Sequence, residues 1–348
     1  MSQLEQERET GNHHTLPARL PAPDETLPGQ DWRQSAAVRR THWLCQPCAL
    51  AIPRSQISCF RCHKADHSSS ALTTDTVERI IERIPSCARL CSLDLSHNPL
   101  GAPGVAAVAR VLSKANGLRA LNLSGTGASD SGAKALAEVL GGTTSVRSLQ
   151  LIGAFVKDEG GIAFATLLRS GCSLEELGLG WNDIRGVDAA KALGEAAADA
   201  TLLVSFCGVP IGELRAGRLP RVPPLTERDR QRRPVIEPTE ELHLQGHGCG
   251  APGAQAITSL LPRLLCGGAP PSPVDVPRKL KLSAIVMPFQ DLRDEGGEVI
   301  AHAAASYCPD LRFLMLSRND VGAAATARIR KLLPELDDFH LRVNNRGG

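Results

Sequence analysis

A chain of 348 residues with 42% hydrophobic content holds enough apolar material for one long core and a small accessory module. Lys and Arg (39) nearly balance Asp and Glu (37), and a formal charge of +2 excludes a protein that coats a polyanion over its whole surface. No apolar run approaches the roughly 20 residues that span a bilayer, so no membrane association is expected. Residues 1–33 are polar and proline-bearing without apolar periodicity, and a disordered tail is expected there. They show neither the apolar core of a secretory signal nor the Arg-rich, acid-poor character of a transit peptide, which predicts an intracellular chain of cytoplasm or nucleus.

The next segment, 34–66, is a cysteine module. Cys45, Cys48, Cys59 and Cys62 follow the spacing C-x2-C-x10-C-x2-C. Two such knuckles can place four thiolates tetrahedrally around one structural Zn2+. So small a module cannot bury a sufficient core, and the metal would supply its folding free energy. A redox dithiol pair is the alternative use of such spacing. After a Ser-rich joint, DTVERIIERI puts Val77, Ile80, Ile81 and Ile84 on one helical face, with Pro85 as its stop, and reads as the half-repeat that opens a solenoid.

From there a 28-residue period takes over. Leu93, Leu121, Leu149 and Leu177 each precede a second Leu by two positions (Leu95, Leu123, Leu151, Leu179) and follow Leu90, Leu118, Val146 or Leu174 by three. The paired leucines point one way from a short strand by period-2 alternation. Asn98 then turns the chain, Leu100 plugs the turn, and Val105, Val108 and Leu112 face inward from a helix. Asn182 and Asn319 recur in the turn slot, where Thr126 and Ala154 replace Asn in two repeats, so those turns need other partners. Helices are expected at roughly 131–141, 159–169 and 188–198. Beyond Leu179 the register slips by one, which assigns Val204 and Phe206 to the strand positions. An Arg- and Pro-rich insertion is expected at 212–238 and a second at 267–278. Repeats resume at Leu242 and Leu244, at Leu280 and Leu282, at Leu314 and Leu316, and finally at Leu336, Phe339 and Leu341, giving about nine strands.

The pattern L-x-x-L-x-L-x-x-N-x-L, followed by Gly and a full helix, resembles the ribonuclease-inhibitor type of leucine-rich repeat over roughly Leu72 to Asn344. That resemblance implies an α/β solenoid at 72–344, with parallel strands on a concave face and helices on the convex one. The pattern W-x-C-x2-C-x10-C-x-R-C, beginning at Trp43, resembles the Ran-binding-type zinc finger. Members of that family bind single-stranded RNA or ubiquitin. RNA readers use the Trp and arginines; Trp43 and Arg61 match, whereas Ile52 replaces an Asn and Ser55-Gln56 replace arginines. Ubiquitin binders carry Thr-Phe after the second Cys, where this chain has Ala49-Leu50.

The candidate contacts therefore fall into two sets. In the finger, Trp43 and Phe60 offer faces for base stacking and Arg54 and Arg61 offer positive charge, while Leu50 and Ile52 form an apolar patch suited to a protein. On the solenoid, residues flanking the inward leucines are Asp94, Asn122, Gln150, Glu176 and His243, with Ser92, Ser148 and small neighbours between them. No phosphate loop, nucleophile elbow or HExxH pair occurs, so no catalytic residue and no small-molecule substrate is assigned. The expectation is a non-enzymatic adaptor with protein partners. Single-stranded RNA binding by the finger is the alternative, followed by ubiquitin binding and, last, activation of a GTPase.

Overall fold

The structure, a computed structural model, describes residues 42–45, 50–53, 64–66, 90–142, 144–220, 240–244, 247–268, 280–336 and 341–343. Two compact units divide the chain, Met1–Gln56 and Ile57–Gly348. In the first, β1 (His42–Cys45) and β2 (Leu50–Pro53) pair as an antiparallel hairpin, with Trp43 opposite Ile52 and Cys45 opposite Leu50. The half-repeat expected at 74–84 lies outside the described residues.

The second unit alternates strand and helix. Its strands are β3 (Lys64–Asp66), β4 (Ser92–Asp94), β5 (Ala120–Asn122), β6 (Ser148–Gln150), β7 (Glu176–Gly178) and β8 (Ser205–Phe206), then β9 (Glu240–His243), β10 (Leu282–Val286), β11 (Phe313–Leu316) and β12 (Leu341–Val343). Between them lie α1 (Gly101–Leu112), α2 (Ser129–Leu140), α3 (Asp158–Ser170), α4 (Val187–Asp199), α5 (Ile211–Arg215), α6 (Gly250–Leu265), α7 (Arg293–Tyr307) and α8 (Ala323–Leu332). All neighbouring strands of this unit run parallel, in a sheet of six (β3 to β8) and a sheet of four (β9 to β12).

The leucine period explains the stacking. Leu93, Leu121, Leu149 and Leu177 sit directly opposite one another in successive strands. All four are buried, as are Leu90, Leu118, Val146 and Leu174 ahead of them. Val105, Val108 and Leu112 close the layer from α1, each at most 1% exposed. Burying a Leu or Val side chain contributes about 1.5–3 kcal/mol. No single repeat can do this alone, so the core exists only between repeats. The helices match their expected positions to within two residues.

Turn polar groups are satisfied across repeats. Asn182 donates from Nδ2 to the carbonyls of Leu179 (2.9 Å) and Leu151 (2.7 Å), and its Oδ1 accepts from the amides of Ala154 and Val156 (3.0 Å each). The turn that lacks its own Asn at Ala154 is thus held by the Asn of the next repeat. Thr126 serves its own turn, its hydroxyl donating to the Leu123 carbonyl. Asn319 repeats the cross-link, donating to Met287 and Leu316 carbonyls and accepting from the amides of Gln290 and Leu292. Helix starts are capped in the same fashion. Asp130 accepts from the amides of Lys157 and Gly160, Asp158 from Arg185 and Gly186, and Asp294 from Gly322. Amides exposed at a helix start are orphan donors, and here an Asp one repeat earlier fills them.

Five features depart from the expectation. The sheet begins earlier, because β3, inside the segment assigned to the finger, pairs with β4. Phe206 takes the slot opposite Leu177 and is buried, whereas Val204 is 54% exposed. The insertion expected from 212 instead starts with a helix, α5, whose Ile211 and Leu214 are buried. Its Arg215 guanidinium donates to the carbonyls of Ala197, Ala198, Ala200, Thr201 and Leu203, gathering the orphan acceptors at the end of α4. In β10 the paired inward residues are Ile285, which stands opposite both Leu242 and Leu314, and Met287, and Leu282 is the leading residue three positions ahead of Ile285. In β12 Leu341 and Val343 pair with Leu314 and Leu316, and Phe339 lies outside the described residues.

Candidate functional site

Away from the helices, the six-stranded sheet presents side chains in rows. Asp94, Asn122, Gln150 and Gly178 form one row across β4 to β7, and Ser92, Ala120, Ser148 and Glu176 form the next. Four of the five expected face residues, Asp94, Asn122, Gln150 and Glu176, are therefore brought onto one surface. They are knitted together: Asn122 Nδ2 donates to Asp94 Oδ2 (2.9 Å), and the Ser148 hydroxyl donates to Glu176 Oε2 (2.8 Å). Asp94 Oδ1 also accepts from the Ser96 amide. From β4 to β8 this face carries two carboxylates and no Lys, Arg or His.

His243 is not part of that surface. It lies on β9 in the four-stranded sheet, paired with Val286, and is 6% exposed. Ala284, Val286 and Phe313 form a second buried cluster there with Met315 against it, separate from the main core. Both faces of β10 are thus buried. The open part of the sheet face is the six-stranded part.

The sheet rows end in turns, and of the exposed apolar side chains of this edge only Ile152 was read from sequence as a face residue. Ile152, Phe155, Trp181 and Phe289 are 39%, 71%, 49% and 44% exposed. A usable signal was present: Phe155 stands in a turn slot that other repeats fill with Gly127, Asp183, Asp291 and Asp320, and Trp181 in one that the two preceding repeats fill with Gly125 and Gly153. Arg318 lies over the Phe289 ring, 4.8 Å from its centroid.

At the join between the two sheets, Leu179, Asn182, Cys207, Cys249, Asp291 and Arg293 line a small cleft. Burial pushes the Cys207 thiol up to about 12 and holds Cys249 well above the ordinary thiol value, with the neighbouring Cys207 adding to the latter. Thiols so held are inert hydrophobes rather than nucleophiles. Arg215 is held below the usual guanidinium value, first by burial and then by the nearby Arg263.

In the cysteine module Cys45 stands opposite Leu50 at one end of the β1–β2 pairing. The backbones of Trp43, Cys45, Leu50 and Ile52 are described, whereas Cys48, Arg54, Cys59, Phe60, Arg61 and Cys62 lie outside the described residues. Among the described residues no helix is long and apolar enough to cross a membrane.

A leucine-rich-repeat family model matches residues 89–109 and 116–137, the first two complete repeats. Over these residues the chain carries leucine-rich repeats. Solved structures resemble it at low identity. Leiomodin-1 actin-binding site 2 is 18% identical, with 39% of this chain and 79% of that chain covered and a TM-score of 0.35. The tropomodulin C-terminal domain of Caenorhabditis elegans is 16% identical over 54% of this chain and 94% of that one, with a TM-score of 0.34. The leucine-rich-repeat protein LegL7 of Legionella pneumophila is 13% identical over 80% and 92%, with a TM-score of 0.32. No curated protein sequence matches.

Proposed function

We propose that this leucine-rich-repeat protein is a non-catalytic adaptor that holds one macromolecular partner on the outer face of its six-stranded sheet and another on its N-terminal cysteine module. The observation that carries this is the face itself. Parallel strands about 4.8 Å apart set Asp94, Asn122 and Gln150 in a continuous polar row, and backbone groups beneath them are already bonded within the sheet. Such a surface offers side chains to a partner without an edge to be filled. In the module, Cys45, Cys48, Cys59 and Cys62 would hold one Zn2+, which supplies folding free energy when bound. Trp43, Leu50, Ile52 and Phe60 would then offer the contact, with Arg54 and Arg61 beside them. A protein is the favoured partner of this module, ahead of single-stranded RNA and ubiquitin. Joining two modest contacts on one chain raises the combined affinity through effective concentration.

Site-specific photo-crosslinkers in the full-length zinc-loaded chain test this. A probe at Asn122 or Gln150 is expected to capture a discrete macromolecule, and one at exposed Glu138 on α2 is not. Equal capture from both faces would remove the sheet-face assignment. Fluorescence anisotropy against degenerate single-stranded RNA and against labelled ubiquitin, each with Trp43→Ala alongside, identifies the finger's partner class. A chain that folds identically with and without one equivalent of Zn2+, followed by circular dichroism, would remove the metal.

A further inference from the structure

We propose that Ile152, Phe155 and Trp181, together with Glu176, form an anchor site for a cationic segment of a partner protein. The inference rests on the face-binding function proposed above and names the chemistry of its occupant.

The three apolar residues stand on adjacent turns. Ile152 precedes Gly153, whose amide donates to the Gly180 carbonyl, and Trp181 follows Gly180. Phe155 stands between Ala154 and Val156, whose amides both bond to the Asn182 side chain next to Trp181. Their backbone makes the exposure informative. The turn slot of Trp181 has positive φ in every described repeat that shows it, at His97, Gly125, Gly153, Trp181, Phe289 and Arg318. Gly125 and Gly153 meet that demand at no steric cost, whereas Trp181 (φ 55) and Phe155 (φ 60) are large side chains in the left-handed region. Residues so placed are strained and gather at ligand sites. Exposure of about half or more of each ring offsets little of that strain through burial. The Trp181 ring lies close against Gly248, where a Cβ would fall 2.5 Å from its ring atoms.

Phe289 supplies the internal comparison. At the same turn slot as Trp181 it is covered by its own Arg318. Among the described residues no cation lies over Phe155 or Trp181; nearby Arg293 is paired with Asp183 and Asp291, and Arg185 with Asp183. The partner must bring the cation. Between Trp181 and Glu176 the row carries no side chain at Gly178 or Gly180, whose Cβ positions are filled by Gln150 Oε1 and by the His247 carbonyl oxygen. At the far end stands exposed Glu176, bonded to the Ser148 hydroxyl and to no cation among the described residues. Trp181 stands five positions after Glu176, at most about 17 Å at about 3.3 Å per residue. An extended segment therefore sets one Lys or Arg on the rings and a second, four or five residues away, on Glu176, with an apolar side chain against Ile152.

A phage-displayed random dodecapeptide library, selected on the full-length chain, tests this directly. Enriched clones are expected to carry two basic residues four or five apart with an apolar neighbour. Calorimetry with the synthetic peptide of the leading clone should show Kd raised about tenfold or more by Trp181→Ala. Glu176→Gln should raise it several-fold and flatten the salt dependence. Trp181→Gly should lose binding equally while the thermal midpoint holds or rises, since the slot accepts Gly. Clones without basic enrichment, or affinities unmoved by Trp181→Gly, would overturn the proposal. If those affinities instead fall with Asn122→Ala, the face-binding function stands and this site does not; no enriched clones at all would sink both. Concentration-dependent self-association abolished by Trp181→Gly would assign the site to a second copy and equally overturn it.

Discussion

The stretch from Leu90 to Asp199 and the stretch from Ala200 onward use the same repeat to different ends. In the first, four strands advance in strict 28-residue register and each turn is tied to the next. In the second, a two-residue strand, β8, and a five-residue helix, α5, stand where a full repeat belongs, and α6 packs directly on α4. The sheet divides at that point but the turn edge does not, since the Trp181 amide donates to the Gly248 carbonyl across the gap. Gly180 shows how close that approach is: a Cβ there would lie 2.3 Å from the His247 carbonyl oxygen. A solenoid can thus lose most of a repeat provided its helix layer and its turn edge still close. The core of the shortened repeat then depends on few residues, Phe206, Ile211 and Leu214 chief among them.

The sharpest way to break the comparison is to empty the shortened repeat. Phe206 is fully buried, and Phe206→Ala is expected to lower the unfolding free energy by about 3–5 kcal/mol in urea titration. Val204→Ala, two residues away and exposed, should stay within about 0.5 kcal/mol. Equal losses at both would restore the register in which Val204 points inward. A smaller effect tests the ladder in the regular half. Asn182→Ala strands two amides and two carbonyls in neighbouring repeats and should cost about 2–3 kcal/mol, whereas Thr126→Ala removes one local bond and should cost about 1 kcal/mol. Comparable losses would mean that the turns are held one by one.

The regular half was legible because one period controls both strand register and helix phase, so a leucine count fixes everything between Leu90 and Leu179. Asn182 could be placed in its slot from sequence, and so could the need of Ala154 for an outside partner. What failed beyond residue 200 failed for a physical reason. Leu280 and Leu282 look like a strand pair, but Ile285 and Met287 take that place, and apolar pattern alone does not choose between frames five residues apart. That slip hid Gln290 in the Asn slot, where it is 1% exposed and accepts from the Cys249 amide. Of the candidate face, the polar row was readable by alternation. His243 was misplaced because burial of the four-stranded face involves contacts that period-2 alternation does not encode. Phe155 and Trp181 were missed because turn residues were read for their hydrogen bonds and not for what they expose.

The smallest effect concerns the join itself. Cys207 and Cys249 lie beside the cleft between the sheets, and burial holds the Cys207 thiol near 12 against an ordinary value of 9.0. A folded-state value above the unfolded one favours the unfolded chain wherever only the latter ionises. Stability from this group is therefore complete below about pH 9 and is lost progressively as pH rises from 9 toward 12. Urea midpoints measured under reducing conditions at pH 8, 9 and 10 should fall for the native chain, and Cys207→Ala should make that fall shallower. An unchanged slope would mean that the join opens to solvent before the chain unfolds, and that the shortened repeat is a hinge rather than a sealed core.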